Sequence, residues 1–401
     1  MSQSSFLSKR IEKLSESATL KMTQLARDLA AKGHQVISLS VGEPDFNTPD
    51  NVKNAAKKAL DDNFTRYSPV PGYLDLREVI SEKLKNENNL DYGPSQIVVS
   101  TGAKQSLSNT LLTLIDEGDE VIIPTPYWVS YSEMVKLAEG KSVFIETDIH
   151  SDFKITAEQL EEAITPKTKA FMFSSPCNPT GSVYSREELK KLVEVFEKHP
   201  DIFIISDEIY EHINFVNKHE SIAQFTSIKD RVILVNGFSK AFAMTGWRLG
   251  YIAANKEIAA ANNKLQSQTT SGTCSIAQKA GLTAYKDGLE KVLEMKQTFE
   301  RRRQLVYSLL SEIPGVKTNM PQGAFYFFPE ISSFFRKKTP DGKTIENSLD
   351  LALYILNEAY VSTVAGSAFG NNNYIRVSYA ASDETLKEAL RRIKEALGKL
   401  S

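Results

Sequence analysis

The segment SKAFAMTGWRLGY, residues 239–251, places a lysine and an arginine where they could act together. Lys240 follows Ser239 and precedes a short apolar run. An apolar setting lowers the pKa of a lysine amine and makes the amine available as a nucleophile. Arg248, further along the segment, keeps its charge and suits a phosphate group. Taken alone, the segment is equally typical of a surface lysine between alanines.

Two other segments place polar side chains directly after a predicted strand. SDEIY, residues 206–210, puts Asp207 at a strand end with Tyr210 close behind it, and SSPCNPTG puts Asn178 between two prolines. A carboxylate such as Asp207 could keep the pyridine nitrogen of pyridoxal phosphate protonated, while the tyrosine hydroxyl binds the ring's 3-oxygen. The alternatives are a metal ligand or turn cap for Asp207 and a plain β-turn around Asn178.

STGAKQS, residues 100–106, has the small residues that let backbone N–H groups approach a phosphate at a helix start. The spacing of a P-loop is absent. The alternative interpretation of this segment is an ordinary helix start.

Composition excludes several classes of protein. The chain has 401 residues and a formal net charge of −2, which does not indicate a nucleic-acid or membrane-surface partner. Two cysteines, Cys177 and Cys274, are too few for a disulfide framework, and we interpret Cys177 as a packing residue. The start, MSQSSFLSKR, lacks a signal peptide, and the apolar runs are too short to span a membrane. We therefore expect a cytoplasmic protein.

Short apolar runs alternate with amphipathic stretches, which predicts an α/β fold with a mostly parallel sheet covered on both faces. Ligands of such sheets bind beyond the carboxyl ends of the strands. Gly102, Asn178, Asp207 and Lys240 each follow a predicted strand. The predicted strands are 36–40, 97–100, 120–124, 142–146, 169–174, 202–206 and 231–237.

The pattern changes after about residue 290. A long charged helix is followed by a polar loop near 337–347, a helix over 348–359, two short strands and a final helix to about Leu397. We predict a large domain over 48–290 and a smaller α+β domain formed by 1–47 and 291–401.

In these segments the chain resembles the fold type I pyridoxal-phosphate enzymes of the class I aminotransferase family. Within that family it is similar to the prokaryotic-type aspartate aminotransferase subgroup. The resemblance runs end to end, through VGEPDFNTP (41–49), RYSPVPGYLDLRE (66–78), PYWVSY (126–131), SSPCNPTG (174–181), SDEIYEH (206–212), SKAFAMTGWRLGY (239–251) and YIRVSYA (374–380).

The resemblance implies that pyridoxal 5′-phosphate is bound to Lys240 as a Schiff base and that Lys240 moves the substrate's α-proton. It also implies a homodimer in which Tyr67 reaches the phosphate bound by the neighbouring subunit. The implied cofactor contacts are Gly102, Ala103, Lys104, Trp128, Asn178, Asp207, Tyr210, Ser239, Lys240, Arg248 and Tyr67.

The implied substrates are amino acids and 2-oxo acids, with Arg376 binding the α-carboxylate. The implied substrate contacts are Gly42, Lys104, Trp128, Asn178, Arg376, Ser17 and Thr19. A lysine at position 104 is associated with dicarboxylic substrates, so we expect transfer of the amino group of L-aspartate to 2-oxoglutarate. Members that use prephenate carry a lysine where this chain has Ser15, which argues against prephenate. No metal is expected.

Other functions remain open on the same fold. Donors could be alanine, aromatic amino acids or kynurenine, and a β-lyase is a further alternative. A non-catalytic effector-binding module, as in regulators that fuse this fold to a DNA-binding domain, is disfavoured. The family pattern begins near residue 10, and Lys240 is retained.

Overall fold

The computed structural model of the chain describes residues 6–216 and 218–401. The strands in these ranges are β1 Ile37–Ser38, β2 Ile97–Ser100, β3 Glu120–Thr125, β4 Lys141–Glu146, β5 Thr168–Ser174, β6 Phe203–Asp207, β7 Val232–Gly237, β8 Gly250–Ala253, β9 Tyr326–Phe327, β10 Val361–Ser362, β11 Val364–Ala365 and β12 Ile375–Ser378. The helices are α1 Lys9–Glu12, α2 Ala18–Ala31, α3 Asp50–Asp61, α4 Leu74–Asn88, α5 Ala103–Leu114, α6 Ser130–Leu137, α7 Ala157–Ala163, α8 Arg186–Phe196, α9 Lys256–Thr269, α10 Ser275–Asp287, α11 Leu289–Ser311, α12 Ser348–Ala359 and α13 Asp383–Leu397.

A seven-stranded sheet carries the centre of the molecule, in the order β2-β8-β7-β6-β5-β3-β4. The pairs from β4 to β7 are parallel, and β8 runs antiparallel to both of its neighbours. The predicted α/β fold with a mostly parallel sheet is therefore confirmed. β8, which was not predicted, begins at Gly250, two positions after Arg248.

Both faces of this sheet are covered, as the continuous apolar runs of its strands require. In β7, Val232 and Leu234 pack on one face in the same cluster as Leu189 of α8. Ile233 and Val235, which alternate with them, pack on the other face with Leu107 of α5. With each inner strand held from two sides, the loops at its carboxyl end start from fixed positions.

The remaining elements build two small sheets. β11, β12 and β9 form an antiparallel sheet that packs with α11, α12 and α13 around a second core. The strand predicted over 36–40 is shorter than expected: only Ile37–Ser38 is regular, paired in parallel with Val361–Ser362. This segment pairs with β10 and is not part of the large sheet. The domain boundaries at 48 and 290 stay a prediction.

Two further findings concern the whole of the described chain. Cys177 and Cys274 are free thiols. None of the helices within 6–216 and 218–401 combines the length and the apolar composition needed to cross a bilayer.

Candidate active site

A cavity of about 390 Å³ lies where the carboxyl ends of β5, β6 and β7 meet the residues of β12 and the start of α5. Of the predicted site residues, it brings together Ser17, Thr19, Gly42, Ala103, Lys104, Trp128, Asn178, Asp207, Tyr210, Ser239, Lys240, Arg248 and Arg376. Gly102 adjoins this lining at the start of α5, and Tyr67 lies outside it.

Lys240 follows β7 closely and projects a half-buried amine into the cavity. Its Nζ donates a hydrogen bond to the carbonyl oxygen of Gly42 over 2.6 Å. Burial, helped by the positive charge of Arg376, lowers the pKa of the Lys240 amine to about 8. A substantial fraction of this amine is therefore neutral near physiological pH and able to act as a nucleophile or base.

Asp207 is the last residue of β6 and is 5 % exposed. Its Oδ2 accepts a hydrogen bond from the Tyr131 hydroxyl over 2.7 Å, and its Oδ1 accepts one from the backbone N–H of Ile209 over 3.2 Å. Burial raises the pKa of Asp207 to about 6, although both hydrogen bonds oppose that rise. A buried carboxylate of this kind favours a cationic partner in the cavity.

Arg376 on β12 is 2 % exposed. Its guanidinium donates to Oδ1 of Asn178 over 2.9 Å and to the carbonyl oxygen of Ser40 over 2.6 Å. Nε has no hydrogen-bond partner, and among the described residues no carboxylate forms an ion pair with this side chain. A buried cation without a counter-ion is costly unless a ligand supplies the negative charge, so Arg376 indicates an anion-binding position.

A second cationic position lies at the start of α5. Gly102, with φ +83°, precedes the helix, and a Cβ added there would lie 2.7 Å from Nη2 of Arg248. Only glycine lets the guanidinium come this close to the helix entry. Lys104 in the first turn has a pKa lowered by burial and by Arg248. The Arg248 guanidinium beside the N-terminus of α5 makes a cradle for a phosphate.

Comparison with known proteins agrees with this geometry. The family model "Aminotransferase class I and II" matches residues 34–393. The chain is 46% identical to a probable aspartate/prephenate aminotransferase of Rickettsia bellii, covering 99% of this chain and 100% of the relative.

Solved structures agree as well. The aspartate aminotransferase of Rhizobium meliloti superposes with a TM-score of 0.96 at 43% identity, over 99% of this chain and 100% of that one. The Thermus thermophilus aspartate aminotransferase with maleate gives 0.92 at 38% identity, over 98% and 100%.

The chain belongs to the class I and II aminotransferases. This aminotransferase is an enzyme of the pyridoxal-phosphate-dependent fold type I group, and its substrates are amino acids and 2-oxo acids. Its cavity fits such a cofactor. The Gly102–Arg248 cradle suits a phosphate, the buried Asp207 suits a protonated ring nitrogen, and Lys240 offers a free amine.

Sequence reasoning missed two tyrosines of the aminotransferase cavity. Tyr131, the donor to Asp207, lies at the end of the PYWVSY segment, which could have pointed to it. Tyr326 in β9 also lines the cavity, but its segment contains no motif that predicts a functional role. Ser15 lies outside the cavity lining, exposed, with its backbone N–H donating to Oε2 of Glu133 over 2.8 Å.

Proposed function

We propose that the chain is an aspartate aminotransferase. It transfers the amino group of L-aspartate to 2-oxoglutarate and gives oxaloacetate and L-glutamate by a ping-pong sequence. The observation that carries this proposal is the buried Arg376, which has no carboxylate partner within residues 6–216 and 218–401 and shares one cavity with the Lys240 amine. An α-carboxylate bound by this guanidinium would hold the rest of an amino acid within the same cavity.

We assign a complementary group of this site to each part of the cofactor. Asp207 would face the pyridine nitrogen, Tyr210 and Asn178 the 3-oxygen, and Trp128 the ring. The phosphate would lie among Gly102, Ala103, Lys104, Ser239 and Arg248, with Tyr67 of a second copy. When bound through Lys240, pyridoxal phosphate supplies an electron sink that makes the substrate's α-proton acidic.

The protein's own groups then bind the substrate and move one proton. Arg376 would bind the α-carboxylate through both of its terminal nitrogens, in a position already fixed by Asn178 and the Ser40 carbonyl. The Lys240 nitrogen would take the proton from the substrate's α-carbon and deliver it to a carbon of the bound cofactor, a task suited to an amine whose pKa is near 8. Asp207, as a carboxylate, would hold the cofactor's ring nitrogen and stabilise its positive charge. The amino group would stay with the enzyme until the second substrate, an oxo acid, enters the same cavity, which accounts for ping-pong kinetics.

The acidic side chain of aspartate would interact with Lys104. The Nζ of Lys104 lies 4.9 Å from the centroid of the Trp128 ring, at the wall of the cavity. Ser17 and Thr19 add hydroxyls on the lining. The Thermus thermophilus relative is described with maleate, which carries two carboxylates like aspartate. This likeness supports a dicarboxylate substrate here.

The proposal includes a cytoplasmic homodimer with composite active sites. Tyr67 is 96 % exposed in the single chain, which suits a side chain that contacts a second copy. We also propose that the chain has a cofactor-binding domain over 48–290 and a smaller domain formed by 1–47 and 291–401.

Prephenate as an amino acceptor is the second candidate function, because the Rickettsia bellii relative is named for it. Ser15, in place of the lysine expected of prephenate users, speaks against it.

A panel of amino donors with 2-oxoglutarate, followed through oxo-acid formation, tests the proposal. Aspartate and glutamate should give the highest kcat/KM. A higher value for alanine or an aromatic donor would refute the assignment of aspartate while leaving the enzyme an aminotransferase. Prephenate offered with aspartate as donor tests the second candidate.

A further inference from the structure

Two tyrosines of the cavity lining are joined by a hydrogen bond between their hydroxyl groups. The hydroxyl oxygens of Tyr210 and Tyr326 are 2.8 Å apart, and both side chains are buried. Tyr326 arrives from β9, outside the large sheet, whereas Tyr210 follows β6. Each phenol has a single proton to donate, so one of the two must be the acceptor in this hydrogen bond.

The ring of Tyr326 also lies against the guanidinium of Arg376. The distance from Cζ of Arg376 to the ring centroid is 4.5 Å, within the range of a cation–π contact. A Cβ added to Gly42 would lie 2.7 Å from the Tyr326 hydroxyl oxygen, so this phenol also packs against the backbone whose carbonyl holds Lys240. The Tyr326 side chain thus contacts both Gly42, whose carbonyl holds Lys240, and Arg376, which would bind the α-carboxylate.

We propose that Tyr326 is a positioning residue of the active site, acting through Tyr210 with its hydroxyl and through Arg376 with its ring. The proposal rests on the proposed function, in which Tyr210 binds the cofactor's 3-oxygen and Arg376 the α-carboxylate. Neither the resemblance nor the comparisons assign a role to this residue.

The direction of the hydrogen bond follows from the proton count. If Tyr210 donates its proton to the anionic 3-oxygen, its own oxygen can only accept, and Tyr326 becomes the donor. Hydrogen bonds in such a chain polarise one another, so the bond from Tyr210 to the cofactor strengthens. A stronger donor withdraws negative charge from the 3-oxygen. That charge favours a proton on the nearby Lys240 nitrogen, so the chain of hydroxyls lowers the pKa of this nitrogen in the holoenzyme.

Tyr326→Phe separates the hydroxyl from the ring, and Tyr326→Leu removes both. The matched control is Tyr379→Phe, because Tyr379 is equally buried and its hydroxyl donates to the carbonyl oxygen of Ala324 over 2.9 Å, outside the cavity lining. Three quantities are measured on holoenzyme: the pH midpoint of the cofactor's absorption change, the KM for aspartate and the melting temperature.

Tyr326→Phe should raise the absorption midpoint by roughly half a pH unit, in the same direction as Tyr210→Phe but by less. Tyr326→Leu should raise it similarly and also increase the KM for aspartate roughly tenfold, because Arg376 loses its aromatic support. Tyr379→Phe should lower only the melting temperature. An unmoved midpoint in Tyr326→Phe, while Tyr210→Phe moves it, overturns the hydroxyl's role and leaves the proposed function intact.

An unchanged KM in Tyr326→Leu overturns the role of the ring. A midpoint that Tyr379→Phe moves as far as Tyr326→Phe would reduce the effect to general loss of packing, and this too overturns the proposal. Failure of the wild-type protein to take up pyridoxal phosphate would instead refute the proposed function, and the inference with it.

Discussion

The hydroxyl of Tyr131 lies 2.7 Å from Oδ2 of Asp207 and donates a hydrogen bond to it. Both residues are buried, and they lie 76 positions apart in the chain. Burial favours the protonated carboxyl, whereas a phenol that donates to the carboxylate favours the ionised form. The pair therefore keeps Asp207 available as an anion for the cofactor's ring nitrogen.

Tyr131→Phe should weaken the binding of pyridoxal phosphate roughly tenfold, since a hydrogen bond to a charged group contributes about 1.5–3 kcal/mol. For the wild-type protein, affinity should fall as pH decreases below about 6, where Asp207 of the apoenzyme becomes protonated. In Tyr131→Phe the pKa of Asp207 rises further, so this fall should begin at higher pH. Titrating apoenzyme with cofactor at several pH values measures both effects.

Tyr127→Phe is the control for this experiment. The Tyr127 hydroxyl donates to Oγ of Ser132 over 3.4 Å and lies outside the cavity lining. An equal loss of affinity in the two variants would argue against a specific effect on Asp207.

Modification of Lys240 should be selective. The pKa of its amine is lowered to about 8, so in apoenzyme Lys240 should react with an acylating reagent at a pH where ordinary lysines stay protonated. Borohydride reduction of holoenzyme should attach the cofactor to the peptide that contains Lys240, and Lys240→Ala should abolish transamination. Peptide mapping checks both labels. A cofactor fixed to any other lysine would disprove the assignment.

Much of this site could be predicted from short sequence motifs. Lys240 and Asn178 each follow a buried strand in a distinctive segment, Asp207 ends one, and the parallel sheet brings such strand ends together. Arg376 depended on the resemblance, since an arginine in YIRVSYA has no chemical signature of its own. Tyr131 and Tyr326 could not be predicted as partners of Asp207 and Tyr210, because those contacts join residues 76 and 116 positions apart. The strand β8 was not predicted either, because its antiparallel pairing with β2 and β7 is set by the tertiary fold.

A buried ion pair between His219 and Glu208 predicts a pH-dependent stability. Nε2 of His219 lies 2.8 Å from Oε2 of Glu208, with Glu211 and Lys83 in the same network. Burial alone would lower the pKa of His219, but the negative charge of Glu208 raises it above the usual 6.5. The stabilisation is therefore complete below about pH 6.5 and is lost as pH rises through the higher pKa of the folded state.

His219→Gln should accordingly lower the melting temperature of the apoenzyme most at pH 6, with a difference from wild type that narrows by pH 9. Melting curves across that range give the measurement. His150→Gln serves as a control, because His150 is exposed. A difference that stays constant with pH would mean that folding leaves the pKa of His219 at its usual value.

Composite active sites predict complementation between two impaired variants. A mixed dimer of Tyr67→Ala and Lys240→Ala has one site in which both residues are intact. Mixing the two proteins under conditions of subunit exchange should restore activity above that of either alone. In the control mixture, Lys240→Ala is paired with the double variant Tyr67→Ala/Lys240→Ala, where no site can recover. If activity did not recover although subunit exchange was demonstrated, Tyr67 would act in the active site of its own subunit.

The preference for acidic donors should depend on Lys104. This lysine lies in the first turn of α5, where a cation is unfavourable by a few tenths to about 1 kcal/mol because the helix N-terminus is itself positive. Burial lowers the pKa of Lys104, and the positive charge of Arg248 nearby lowers it further. A substrate carboxylate would offset this repulsion.

Loss of a desolvated charge partner costs roughly 2–5 kcal/mol, which is more than tenfold in kcat/KM. Lys104→Ala should therefore lose at least about tenfold in kcat/KM for aspartate and glutamate, with little change for alanine or aromatic donors. Lys136→Ala, on α6 and paired with Glu133, is the control for removal of a lysine outside the cavity lining. Steady-state kinetics with each donor decides the matter. If Lys104→Ala lost the same factor for every donor and bound pyridoxal phosphate more weakly, Lys104 would serve the cofactor phosphate, and the second carboxylate would need another partner.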